Sequence, residues 1–193
     1  LNTVGIFDVT SGTFSDGNFN VTIPSLASLA GTRAIVMGTA TVWTLTNGDT
    51  NIWNVNPGGI TLTKGTATIR ATATSAAVMR FWTANLTFHN LEIATSGVGA
   101  FDIRDSGTFN NIHIDASVAA RTVQFVAGTT TTTAGFTRDA GTNVITLGST
   151  TAASHTLSKT GGGNINFPYA SISRSTATPG STWYATNSTD AGN

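Results

Sequence analysis

Short stretches of alternating apolar and polar residues recur along the whole chain. Gly5-Ile6-Phe7-Asp8-Val9, Asn20-Val21-Thr22-Ile23, Ala67-Thr68-Ile69-Arg70-Ala71, Leu91-Glu92-Ile93, Ile112-His113-Ile114 and Val144-Ile145-Thr146-Leu147 are the clearest. A period of two places the apolar side chains on one face of a strand. Clusters of Gly, Asn, Asp and Ser separate these runs, as turns separate short strands. No segment carries an i, i+3, i+4, i+7 stripe. Only Ser25 to Ala30, after Pro24, offers a helical turn. The pattern predicts an all-β protein.

Several of the runs repeat. Phe88-His89-Asn90-Leu91-Glu92-Ile93 matches Phe109-Asn110-Asn111-Ile112-His113-Ile114 at an offset of 21 residues. Phe167-Pro168-Tyr169-Ala170-Ser171-Ile172 shares the skeleton. Gly38-Thr39-Ala40-Thr41-Val42 matches Gly65-Thr66-Ala67-Thr68-Ile69 at an offset of 27, and the stretch from Gly5 to Val9 resembles that from Gly99 to Ile103. Self-similarity at this period marks a solenoid, in which each rung pairs with the one below at about 4.8 Å. The expected fold is therefore a parallel β-helix of irregular rungs, about 20–28 residues each, giving roughly six or seven rungs. A β-sandwich is the alternative. Phe88 should sit over Phe109, Leu91 over Ile112 and Ile93 over Ile114. One domain spans 1–193, with 1–33 fitting the repeat least well and expected as an N-terminal cap or arm. Asn18 to Pro24 reads as an edge strand ended by proline. Thr129 to Thr133 reads as a strand exposed on both sides or pairing with a neighbouring subunit.

Composition agrees with strands. Of 193 residues 38 are threonine, a β-branched residue that packs well on a pleated surface. Charged residues are only 9% and the formal net charge is zero, so no basic excess exists to neutralise nucleic-acid phosphates. Cysteine is absent, which removes disulfides and thiol chemistry. No run approaches 18 apolar residues, so no membrane-spanning segment is expected. Leu1-Asn2-Thr3 begins without a basic or apolar leader pattern.

Asn143-Val144-Ile145-Thr146-Leu147, Ser154-His155-Thr156-Leu157-Ser158-Lys159 and the close from Ser175-Thr176-Ala177-Thr178-Pro179-Gly180 to Asn193 carry a family likeness. From about Gly38 onward the chain resembles the Thr/Gly-rich β-helical proteins found among phage structural proteins and in large bacterial surface proteins. The resemblance implies a virion role, in capsid decoration or the tail, without a defined reaction. By analogy with phage β-helices it implies a homotrimer that binds other virion proteins. A cell-surface adhesin or filament module is the second reading, and a polysaccharide-degrading enzyme the third.

Candidate chemistry is sparse. Glu92 and His113 fall one rung apart and read as a solvated outer-face pair rather than an acid–base pair. The only glutamate has no evident carboxylate mate of the kind a glycosidase uses. Asp102, Asp105 and Asp115 with Arg104 form the densest acidic cluster; ordinary turn chemistry explains the stretch from Arg104 to Gly107 better than calcium or lyase chemistry. Asn90 and Asn111 are expected to stack as an amide ladder that satisfies turn backbone. His89 and His155 have no ligand-spaced partners. Trp43, Trp53, Trp82 and Trp183 suit packing or intersubunit contact better than a sugar-binding surface, with Trp43 and Trp53 flanking a turn at Thr46-Asn47-Gly48-Asp49. No catalytic, cofactor or metal residues are assigned, and no enzyme activity, nucleic-acid partner or membrane partner is expected.

Overall fold

The computed structural model describes residues 5–47 and 50–192; Gly48 and Asp49 of the expected turn, and Leu1 to Thr3, lie outside them. The chain winds into a stack of parallel strands with three faces, and every strand pairing among the described residues is parallel. Face 1 carries nine strands: β1 (Ile6–Asp8), β4 (Ser25–Ser28), β7 (Asn51–Val55), β10 (Met79–Trp82), β12 (Phe101–Arg104), β14 (Arg121–Phe125), β16 (Ile145–Ser149), β19 (Ala170–Ile172) and β22 (Thr189–Asp190). Nine strands in this order mark about eight turns of a β-solenoid, more than the six or seven expected. The excess arises because rungs shorten as well as lengthen, from 18 residues between Ser171 and Thr189 to 29 between Asn51 and Arg80.

Face 2 begins with a three-stranded sheet, β2 (Gly12–Ser15), β5 (Arg33–Val36) and β8 (Ile60–Thr63). Face 3 holds β3 (Val21–Ile23), β6 (Val42–Leu45), β9 (Thr68–Ala71) and β11 (Asn90–Ile93). In the next two rungs a single strand turns the corner between these faces: β13 (Gly107–Ile114) and β15 (Thr130–Arg138). Their first halves continue face 2 into β17 (His155–Lys159) and β20 (Ser175–Thr178). Their second halves continue face 3, where Phe136 packs its ring on Phe167 and Trp183 beside β18 (Ile165–Asn166) and β21 (Trp183–Tyr184).

The expected columns are present. Leu91 pairs in register with Ile112 and Ile93 with Ile114, all four fully buried. The rings of Phe88 and Phe109 stack at 5.2 Å. One core runs through the solenoid, since a single rung cannot bury its own apolar face. Turns stack as closely as strands: a Cβ on Gly107 would lie 2.7 Å from the Thr83 side chain, so the corner requires glycine there.

Four expectations need correction. Ser25–Ser28 is strand rather than helical turn, because Leu26 is drawn into the core between Phe7 and Trp53. The match at Gly38 and Gly65 holds at the turn and slips by one in the strand, so that Trp43, not Val42, lies over Ile69; Ala40, at φ +55°, begins the slip. Phe167 does not repeat Phe88, since it lies on face 3 whereas Phe88 stacks with Phe109 of face 2. Thr130–Thr133 is paired on both sides within the chain, with Thr131 and Thr133 buried. The segment 1–33 contributes, in its described part, β1 to β4 and the first residue of β5, paired in register with the rungs that follow.

Candidate functional site

Along the outside of face 3, one column reads Thr22, Thr44, Arg70, Glu92, His113 and Thr137. Glu92 does lie one rung from His113, but its ion pair is with Arg70 on the other side, at 2.7 Å. His113 instead meets Thr137 at 3.0 Å and Asp139 at 3.3 Å. Asn90 lies in register with Asn111, yet the amides do not bond each other. Asn110 donates to Asn90, Asn90 to Thr68, and Asn111 to Thr137, so the polar links run between side chains rather than to turn backbone.

The three aspartates take separate roles. Asp102 points outward from face 1 yet is buried beneath its neighbours, and accepts a hydrogen bond from Arg104 at 2.8 Å. Burial raises its carboxyl above the ordinary range despite the opposing effect of Arg104 and Arg80. Asp105 sits in a left-handed turn (φ +64°), where its carboxylate accepts from the Ala84 N–H. Asp115 accepts from the N–H and hydroxyl of Ser117. The cluster seen in the sequence is therefore dispersed over two faces. Among the described residues no three His, Asp or Glu side chains come close enough to hold a metal.

Further buried polar groups lie at Asp16, Arg33 and His155, and of these the sequence marks only His155. Asp16 is buried and accepts from the Trp43 indole at 2.8 Å, the Thr41 hydroxyl, and the N–H groups of Gly38 and Asn18. Burial would raise its carboxyl, but these four donors hold it below the usual value. Arg33 is 2% exposed and has no carboxylate partner among the described residues; its guanidinium donates to Ser28, to Gly31 and to the carbonyls of Asn56 and Gly58 one rung on. Arg138 and Lys159 likewise fold onto corner carbonyls. His155 is 1% exposed, takes Ser149 at 2.8 Å, and stacks on Phe125. Burial depresses its imidazole to about 4. Lone basic residues at strand ends were the available signal, but only the three-dimensional corner reveals their partners.

Two concavities bear on function. At the end formed by β20, β21 and β22 the core opens into an apolar cleft of about 400 Å³, lined by Phe136, Leu147, Leu157, Phe167, Ile172 and Trp183. Among the described residues each of these three strands has a sheet neighbour on one side only. A second, shallower groove of about 270 Å³ follows the corner between faces 1 and 2, and Trp82 lines it. Trp43 and Trp53 are fully buried, while Trp82 and Trp183 are half-buried. No family model matches the chain, and no curated protein or solved structure is matched by it.

Proposed function

We propose that the protein is a non-enzymatic structural component of a phage virion, in capsid decoration or the tail, working through self-assembly and contact with neighbouring virion proteins. A trimer is the proposed assembly. The observation that carries this reading is the open end of the solenoid. The strands β20, β21 and β22 are each the last strand of their sheet among the described residues, and the apolar cleft beneath them continues the core. Such an edge invites strand pairing. None of the three strands carries the lysine that commonly guards an edge. The cations that would repel a neighbour are in part folded inside, on corner carbonyls.

Sedimentation of the purified protein at low and high ionic strength tests the reading, alongside Trp183→Asp, which places a charge in the cleft. The expected result is an oligomer that depends weakly on salt, because few charges take part, and that Trp183→Asp weakens. A wild-type monomer at micromolar concentration in both salts, with no co-sedimentation with capsid or tail proteins, overturns it.

The adhesin reading gains one observation of its own, the groove at Trp82.

A further inference from the structure

We propose that the corner between faces 1 and 2, across the second to fifth rungs, is a binding site for an uncharged glycan. The groove there is lined in rung order by Leu29, by Asn54 and Asn56, by Trp82 and Asn85, and by Asp105. Each rung advances the next polar group by about 4.8 Å along the axis. That spacing is comparable with the length of one pyranose unit, so an oligosaccharide laid along the corner meets a fresh contact at each step.

The aromatic member is held in place before any ligand arrives. The Trp82 indole N–H donates to Asn51 Oδ1 at 3.0 Å, one rung below. From the rung above, the Arg104 guanidinium lies 5.4 Å from the ring centre. Arg104 is itself held by Asp102. With its N–H satisfied and its plane fixed, Trp82 offers the groove the apolar part of its ring. The C–H face of a sugar packs against such a surface, drawn by the negative face of the π-system.

The polar members are free to bond hydroxyls. The amides of Asn54 and Asn85 make no side-chain hydrogen bond within the described chain. Asn56 uses only its carbonyl oxygen, on the Gly58 N–H. Asp105 uses one carboxylate oxygen on Ala84 and leaves the other. Amides present donors and acceptors together, which suits a hydroxyl that is both. A few placed polar groups beside an apolar wall is the usual make-up of a small-ligand site.

The backbone supports the same reading. Ala84 and Asn85 are consecutive left-handed residues, at φ +51° and +58°, and Asp105 adopts +64°. None is glycine, so the corner holds a conformation that L-residues seldom take. It directs Asn85 outward while Ala84 stays buried. Charge selects the ligand class. Two guanidiniums border the groove and both are engaged, Arg104 by Asp102 and the buried Arg33 by backbone carbonyls that include that of Asn56, while the free oxygen of Asp105 repels uronates and phosphates.

The test is an array of immobilised neutral oligosaccharides, with uronate-containing oligosaccharides as comparators and titration calorimetry on the glycans bound. At least one neutral glycan should bind in preference to the uronates. Trp82→Ala should weaken it by about tenfold or more, as loss of a central aromatic anchor does. Trp82→Phe should retain most of the affinity. Asn85→Gly keeps the left-handed backbone, removes only the amide, and should weaken binding without lowering the melting temperature. The proposal is overturned if no neutral glycan binds, if uronates bind better, or if binding survives both Trp82→Ala and Asn85→Gly. It stands apart from the assembly reading, because Trp183→Asp at the far end of the solenoid should leave glycan affinity unchanged.

Discussion

Rungs one to five fill their interior with rings. Phe7, Phe14, Trp43, Trp53, Phe81 and Phe88 follow one another at 4.7 to 6.2 Å, in edge-to-face and stacked contacts, and Phe109 closes the series. Rungs six to eight keep the same three faces but break the series: Phe125 stacks with His155, Phe136 meets Phe167 and Trp183, and smaller or polar groups take other inward positions. One inward column on face 2 displays the change in a single line: Phe88, Phe109, Thr133, Lys159. On face 1 the column Phe81, Ile103, Phe125 ends at Ser149. Part of this inward polarity is met by acceptors at the corners. Thr133 donates to the Gly135 carbonyl at 2.6 Å, and Lys159 to Thr160, Gly161 and Gly162. A solenoid thus needs filled volume and satisfied corners, and the two halves meet these needs in different proportion.

The sharpest way to break this comparison is to exchange the chemistry between halves. Phe109→Ala should destabilise by about 3–5 kcal/mol, through lost burial and a cavity in the ring series. Chemical denaturation of the purified variant measures it, and a loss under about 1 kcal/mol would show that the rings are not the filling they are taken for.

Acidity should act on the later half. His155 has its imidazole depressed to about 4 by burial. Unfolded, it titrates near 6.5. As pH falls from about 6.5 to about 4 the unfolded chain takes up a proton that the folded chain refuses, so stability drops through that window by up to about 3 kcal/mol and then levels. His155→Phe, which keeps the stack on Phe125, should flatten the pH dependence of the melting temperature there. An unchanged slope would remove His155 as its cause. Asp16, held below its usual value, adds its own loss only at more acid pH, in the first half of the molecule.

The smallest effect is expected on the outside of face 3. A double-mutant cycle on Glu92 and His113 should give a coupling of about 0–1 kcal/mol. The ion pair of Glu92 lies with Arg70, whose side chain is 46% exposed. A much larger coupling would mean that the outer column acts as a unit.

The part of the fold legible in the sequence is the part where one offset holds across two faces of a rung. β11 and the end of β13 are separated by a constant 21 residues, so Phe88, Leu91 and Ile93 found their partners by simple offset. The motif of an aromatic followed by spaced aliphatics marks a corner, but it does not say which corner. Around Phe88 it turns from face 2 to face 3; around Phe167 it turns from face 3 to face 1, with Tyr169 at φ +53°. Threonine hid the later core. In a chain so rich in it, nothing local distinguishes the buried Thr131 and Thr133 from the surface majority. The groove at Trp82 was half legible: the tryptophan was a candidate, but Asn54, Asn85 and Asp105 reach it from rungs of unequal length.

The buried corner cations have a consequence for how long the protein survives among proteases. Trypsin requires an arginine or lysine in a length of chain free to enter its cleft. Arg33, Arg121 and Lys159 are 2%, 7% and 8% exposed, and Arg33 and Lys159 are tied by their side chains to carbonyls of neighbouring turns. Cutting after them must wait for the corner to open, so digestion there follows the population of opened molecules rather than the count of basic residues. A chain poor in lysine and arginine has placed several of those it has where a digestive enzyme reaches them last.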